Sequence, residues 1–83
     1  IIVKKGLITD ASFANLVFFD GREYHTPSSP LLRGTKREEL LDKKVISEKI
    51  ITPDDLHNYI KAYFINAMID LFQLGIDINN IWV

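Results

Sequence analysis

Apolar and polar positions along this chain change their spacing several times, and each change marks an element. Ile1 to Val3 and Leu7-Ile8 are apolar runs on either side of Gly6, which reads as two short strands or one bulged strand. The polar stretch Thr9-Asp10-Ala11-Ser12 interrupts the pattern. Asn15-Leu16-Val17-Phe18-Phe19 is the strongest strand in the sequence, closed by the hairpin signal Asp20-Gly21, with Arg22-Glu23-Tyr24-His25 as the returning strand. Thr26-Pro27-Ser28-Ser29-Pro30 reads as a loop, because both prolines lack a donor and restrict the residue before them.

From Thr35 the pattern turns helical. Thr35-Lys36-Arg37-Glu38 has the form of a capping box, predicting a short helix through Asp42 that ends near Lys43-Lys44, where cations suit the C-terminal dipole. Val45 to Ile51 alternates loosely and predicts an exposed strand. Thr52-Pro53-Asp54-Asp55 is a second helix start. Leu56, Tyr59, Ile60, Tyr63 and Phe64 follow at amphipathic-helix spacing. Ile65 to Leu74 admits either a strand followed by a helical turn or a continued helix. Gly75 ends it, and Ile76, Ile78, Ile81 and Val83 predict a final strand. Alternating strands and helices indicate the α/β class, mixed α+β in detail.

Composition narrows the function. The chain has 83 residues, enough for one small domain with a modest core. Its 47% hydrophobic content is that of a globular chain, which argues against disorder. It has no cysteine, so neither disulfides nor a thiolate zinc site can supply stability. A net charge of −1 provides no field to attract nucleic acid or an anionic membrane. The longest apolar runs, such as Leu16 to Phe19, fall far short of the ~20 residues that span a bilayer. The chain opens on Ile1 within an apparent strand, and its single methionine is Met68, so it is expected to be a piece of a longer protein.

Most candidate reactive residues have simpler readings. His25 and His57 stand apart from any metal-spaced set and read as surface or turn histidines. No serine sits in a nucleophile elbow. Asp54 and Asp55 answer a helix dipole, and Lys43-Lys44 is a solvated helix end. The informative stretch is Leu31-Leu32-Arg33-Gly34-Thr35-Lys36-Arg37-Glu38. There a glycine precedes a helix start rich in free amides, a hydroxyl and cations. The stretch suits a phosphate cradle; it equally suits an ordinary loop-to-helix transition with a good cap.

The ordered motifs Gly6-Leu7-Ile8-Thr9-Asp10, Asn15-Leu16-Val17-Phe18-Phe19, Thr26-Pro27 and Pro30-Leu31-Leu32-Arg33-Gly34-Thr35-Lys36-Arg37 resemble the class IV aminotransferases. These are fold type IV pyridoxal-phosphate enzymes, including branched-chain and D-amino-acid aminotransferases and aminodeoxychorismate lyase. Ile51 to Leu56 and Phe64-Ile65-Asn66-Ala67 extend the resemblance over nearly the whole chain. It implies the family's C-terminal subdomain, a mixed sheet with two or three short helices, and residues 1–83 as a cofactor-binding domain. Pyridoxal 5'-phosphate is the implied cofactor.

By the same resemblance, Asp10 matches the acid that pairs with the protonated pyridine nitrogen, which keeps the ring an electron sink. The family usually has Glu, one methylene longer. Leu32 matches the apolar residue packed on the ring. Thr35 and Lys36 match the phosphate-binding helix start, where the family more often has Ile or Val followed by Thr. Asn66 and Ala67 match a second phosphate-contacting pair, Ala67 without the usual hydroxyl. Ser12 and Asn15 match positions read as structural. The Schiff-base lysine is expected upstream of Ile1, because Lys4 and Lys5 lie too close to Asp10, so the chain is expected to carry no catalytic residue of its own. The implied whole enzyme is a cytoplasmic homodimer acting on an amino acid or an aminodeoxychorismate-like molecule, with substrate contacts largely from other parts of the assembly. Asp for Glu, Thr-Lys and Ala67 leave a second reading, a non-catalytic binding or structural module of the same fold. A third is an unrelated small α/β interaction domain.

Overall fold

The computed structural model describes residues 1–81 and contains two sheets. β1 (Ile2–Lys4) and β2 (Leu7–Asp10) form an antiparallel pair across Lys5-Gly6. Both turn residues have positive φ, 53° and 76°, as a two-residue hairpin of right-handed twist requires. The second sheet has five strands in the order β5-β4-β3-β6-β7. Its members are β3 (Asn15–Phe19), β4 (Tyr24–Pro27), β5 (Ser47–Lys49), β6 (Lys61–Ile65) and β7 (Gly75–Asp77). The β4–β5 pair is parallel and the other pairs are antiparallel, so the sheet is mixed. Among the described residues, one α-helix, α1 (Thr35–Asp42), and two 3-10 turns, Pro53–Asn58 and Ile78–Asn80, accompany the sheets. The architecture is the mixed α+β one anticipated from the sequence.

β3 is central and buried on both faces, which explains its unbroken apolar run. Leu16 and Phe18 join Ile8, Ile51, Tyr59 and Ala62 in one core. Val17 joins Leu40, Ile46, Ile65 and Leu71 in the other. Burying each such side chain contributes about 1.5–3 kcal/mol. The radius of gyration, 11.2 Å, is close to the ~12 Å of a compact chain this long, so the segment builds its own core. Among the described residues no helix is long and apolar enough to cross a membrane.

Several elements depart from the sequence pattern. The amphipathic helix expected over Leu56 to Phe64 is a 3-10 turn ending at Asn58, followed by β6. Sheet hydrogen bonds capture the backbone at Ile60, whose N–H donates to Phe19 C=O at 2.8 Å. The β-branched and aromatic run that follows then pairs with the whole of β3, from Phe19↔Lys61 to Asn15↔Ile65. Residues 66–74 are turns and bends, not helix. The final strand is only Gly75–Asp77; Ile78 and Ile81 pack on the core from a 3-10 turn, and Val83 lies outside the described residues. Thr26 and Pro27 belong to β4 rather than a loop. Thr26 Oγ1 donates to Leu16 C=O at 2.6 Å, and Pro27 pairs with Lys49 through the parallel ladder. Thr35 is not a cap: Gly34 is the N-cap, with no side-chain cap bond, and Thr35 is the first helical residue. His25 is buried rather than on the surface, with Nδ1 2.9 Å from the Tyr59 hydroxyl.

Candidate functional site

The antiparallel register that sets Asn15 opposite Ile65 places the start of β3 beside the end of β6. Asp10, at the end of β2, and the Leu31–Gly34 loop close the same region into a cleft of about 180 Å³. Asp10, Phe13, Asn15, Leu32, Gly34 and Asn66 are among the residues lining it.

Asp10 is buried, and Oδ2 accepts from the Leu31 N–H at 3.0 Å and the Leu32 N–H at 3.4 Å. Its Oδ1 is equally buried and has no hydrogen-bond partner among the described residues. A buried carboxylate oxygen without a donor is costly to leave so, and it fits a donor arriving with a ligand. Leu32, 78% exposed, supplies an apolar wall to the cleft. Asn15 is also buried; its Nδ2 donates to Leu32 C=O at 2.8 Å, and its Oδ1 accepts from Gly34 N–H at 3.2 Å.

A second depression, about 190 Å³, is lined by Thr35, Lys36, Glu39 and Ala67. It adjoins the first through the peptide links 34–35 and 66–67, so all six sequence-predicted site residues line one or the other. The first intrahelical bond of α1 runs from Glu38 N–H to Gly34 C=O, leaving the amides of Thr35, Lys36 and Arg37 ahead of it at the positive end of the helix. Lys36 Nζ lies 2.8 Å from Glu39 Oε2 and 3.5 Å from Asp70 Oδ1. The hydrogen bond to Glu39 raises the Lys36 pKa, and the same bond lowers that of Glu39. Asn66 is occupied internally: Nδ2 donates to Phe13 C=O at 3.2 Å, and Oδ1 accepts from the Met68 and Ile69 amides at 2.8 Å. Its own N–H donates to Ile69 C=O, which leaves the second Nδ2 hydrogen of Asn66 and the Ala67 amide as the donors this segment can offer an anion.

Arg37, read in the sequence as a cation for phosphate, faces away from this role. It has no solvent exposure, donates to Pro27 C=O at 3.1 Å and pairs with Glu48 and Glu38. Two further residues were not singled out from the sequence. Phe13 stacks on Phe64 with ring centroids 5.4 Å apart and lines the cleft. Glu39 sits at i+3 from Lys36, a spacing that already predicts an ion pair. The hairpin also gathers Asp20, Glu23 and His25 with potential ligand atoms within 4.8 Å of one another, a grouping that sequence spacing did not suggest. It lies outside the cleft lining, and Asp20 Oδ1 there accepts the Arg22 and Glu23 amides.

Three comparisons bear on this geometry. The family model for class IV amino-transferases matches residues 1–74. An uncharacterised protein of Haemophilus influenzae is 45% identical over 67 residues, covering 81% of this chain and 36% of its own length. The crystal structure of a protein assigned as a 4-amino-4-deoxychorismate lyase, from Haemophilus somnus, superposes with a TM-score of 0.81 at 41% identity. That match covers 84% of this chain and 36% of the other, so the chain spans about a third of the length of these relatives. With the matched model covering nearly all of the sequence, the chain belongs to the class IV amino-transferase family.

Proposed function

We propose that residues 1–83 form the cofactor-binding part of a pyridoxal-phosphate enzyme, an aminotransferase or an aminodeoxychorismate-type lyase. The observation that carries this reading is the buried, unpartnered Oδ1 of Asp10 in a cleft walled by Leu32. When bound, the cofactor supplies a protonated pyridine ring that stabilises negative charge developing on the substrate. In this reading the Asp10 carboxylate holds the proton on the ring nitrogen, and Leu32 covers the ring and excludes water. The amides of Thr35, Lys36 and Ala67, with the Thr35 hydroxyl, bind the phosphate at the positive end of α1. Asn66 holds the cleft wall through Phe13 and keeps its second Nδ2 hydrogen for the phosphate. No lysine of this chain is assigned the covalent role. The reading extends to a cytoplasmic homodimer acting on an amino acid or an aminodeoxychorismate-like substrate.

Titrating the purified chain with pyridoxal 5'-phosphate, followed by absorbance, tests the assignment. Saturable binding is expected, weakened about tenfold in Asp10→Asn, which keeps an acceptor for the loop but loses the charge. Borohydride reduction is expected to leave no single lysine stoichiometrically labelled. Wild-type protein that takes up no cofactor, or an Asp10→Asn variant that binds as well, overturns the reading. Absent uptake would favour a non-catalytic module of the same fold. The Glu39 carboxylate beside the second depression, where a phosphate would sit, is the observation that keeps this alternative in play.

A further inference from the structure

The Leu31–Gly34 loop has no regular structure, and the side chains of Leu31, Leu32 and Arg33 are exposed. Its backbone is nonetheless fixed at four points by two buried side chains. Asp10 takes the amides of Leu31 and Leu32; Asn15 takes the carbonyl of Leu32 and the amide of Gly34. Gly34 has φ −72°, a conformation open to any residue, so its backbone does not require glycine. The contact does: a Cβ on Gly34 would stand 2.5 Å from Asn15 Oδ1.

Resting on the cofactor reading above, we propose that Asn15 is a positioning residue that sets the distance between the ring end of the site, at Asp10, and the phosphate end, at the start of α1. Asn15 touches no ligand in this scheme. A carboxamide is the group that serves, because it donates to a carbonyl and accepts from an amide two residues apart. Aspartate offers no donor to Leu32 C=O, and alanine leaves both peptide groups without their partner. The ligand favoured is therefore a pyridine carrying phosphate at a fixed reach, and the selectivity for the phosphorylated form over the free pyridoxal depends on Asn15.

The test compares affinities for pyridoxal 5'-phosphate and pyridoxal in wild type, Asn15→Ala, Asn15→Asp, Gly34→Ala and the Asn15→Ala/Gly34→Ala double variant, each with its thermal melt. Wild type is expected to prefer the phosphorylated ligand. Asn15→Ala and Asn15→Asp reduce that preference about tenfold while pyridoxal affinity changes little. Gly34→Ala pushes on the same contact from the loop side and gives the same loss even where an Asn15 variant does not fold. In the double variant the clash is absent, so the two effects are not additive. An unchanged ratio in the folded variants, additive losses, or equal loss of both ligands in step with melting refutes the proposal. Wild-type protein that binds neither ligand refutes the cofactor reading, and this proposal falls with it.

Discussion

Arg37 on α1 and Glu48 on β5 form an ion pair whose cationic partner has no solvent exposure, while the carboxylate side is close to half exposed. The same guanidinium donates to Pro27 C=O at the end of β4, so one side chain ties the helix to both strands of the parallel pair. Glu38 and the outer Arg33 complete a small network around Glu48. The helix is thus held to the sheet edge by charge as well as by Leu40.

Removing Glu48 leaves a buried cation served by Glu38 and one carbonyl. Glu48→Ala is therefore expected to destabilise the chain by about 2–4 kcal/mol. Arg37→Met refills the buried volume with an adaptable apolar chain and lets Glu48 return to water, so it should cost about half as much or less. Urea midpoints of the two variants check the order, and a larger loss in Arg37→Met would contradict it.

Gly75 has a packing requirement of its own. A Cβ there would stand 2.7 Å from the ring of Tyr63, which also packs against Phe72 at 5.3 Å and Tyr24 at 6.3 Å. Gly75→Ala should lower stability by about 1–3 kcal/mol through overpacking. Adding Tyr63→Leu should recover part of that loss, which thermal melts of the single and double variants will show.

The elements that local chemistry decides were legible in the sequence. β3 stood out because an apolar run buried on both faces needs no alternation, and the turn at Asp20-Gly21 because Asp20 Oδ1 accepts two following amides. The chain segments around Asp10 and Gly34 could be placed by resemblance, and the structure brings them together. β6 was hidden because Leu56, Tyr59 and Phe64 share one core through a 3-10 turn followed by a strand, which mimics helical spacing. The burial of Arg37 and His25 was equally hidden. Each depends on a partner at least 11 residues away, Glu48 and Tyr59, and no local pattern encodes such pairings.

Tyr59 makes stability fall in alkali. Burial, the larger cause, together with the negative charges of Asp55 and Asp20, pushes its hydroxyl up to about 12 from the ordinary 10.0. In the unfolded chain the phenol ionises first. The contribution is thus fully present below pH 10 and is lost as pH rises from about 10 to about 12. Tyr59→Phe should flatten this part of the stability profile while lowering stability at neutral pH, since His25 loses its partner. Denaturant midpoints at pH 8 and 11 provide the comparison; an equal alkaline drop in both proteins would rule Tyr59 out.

Lys36 presents a charge already engaged at the second depression. Its ammonium stands between Glu39 and Asp70, and Glu39 itself lines the space beside Thr35 and Ala67. A phosphate arriving there meets a cation whose field is largely cancelled by two carboxylates, one of them a lining group. Neutralising Glu39 removes the nearer carboxylate's repulsion and leaves the ammonium paired only with Asp70, without disturbing the amides at the start of α1. Glu39→Gln is therefore expected to tighten pyridoxal 5'-phosphate binding about threefold to tenfold, and to steepen its dependence on salt, because less of the cation is screened internally. Lys36→Met should do the reverse, leaving the carboxylates opposed only by the outer Lys43 and weakening the phosphorylated ligand more than pyridoxal. Titrations at low and high ionic strength read both effects. Binding that ignores the charge at both positions would place the phosphate elsewhere.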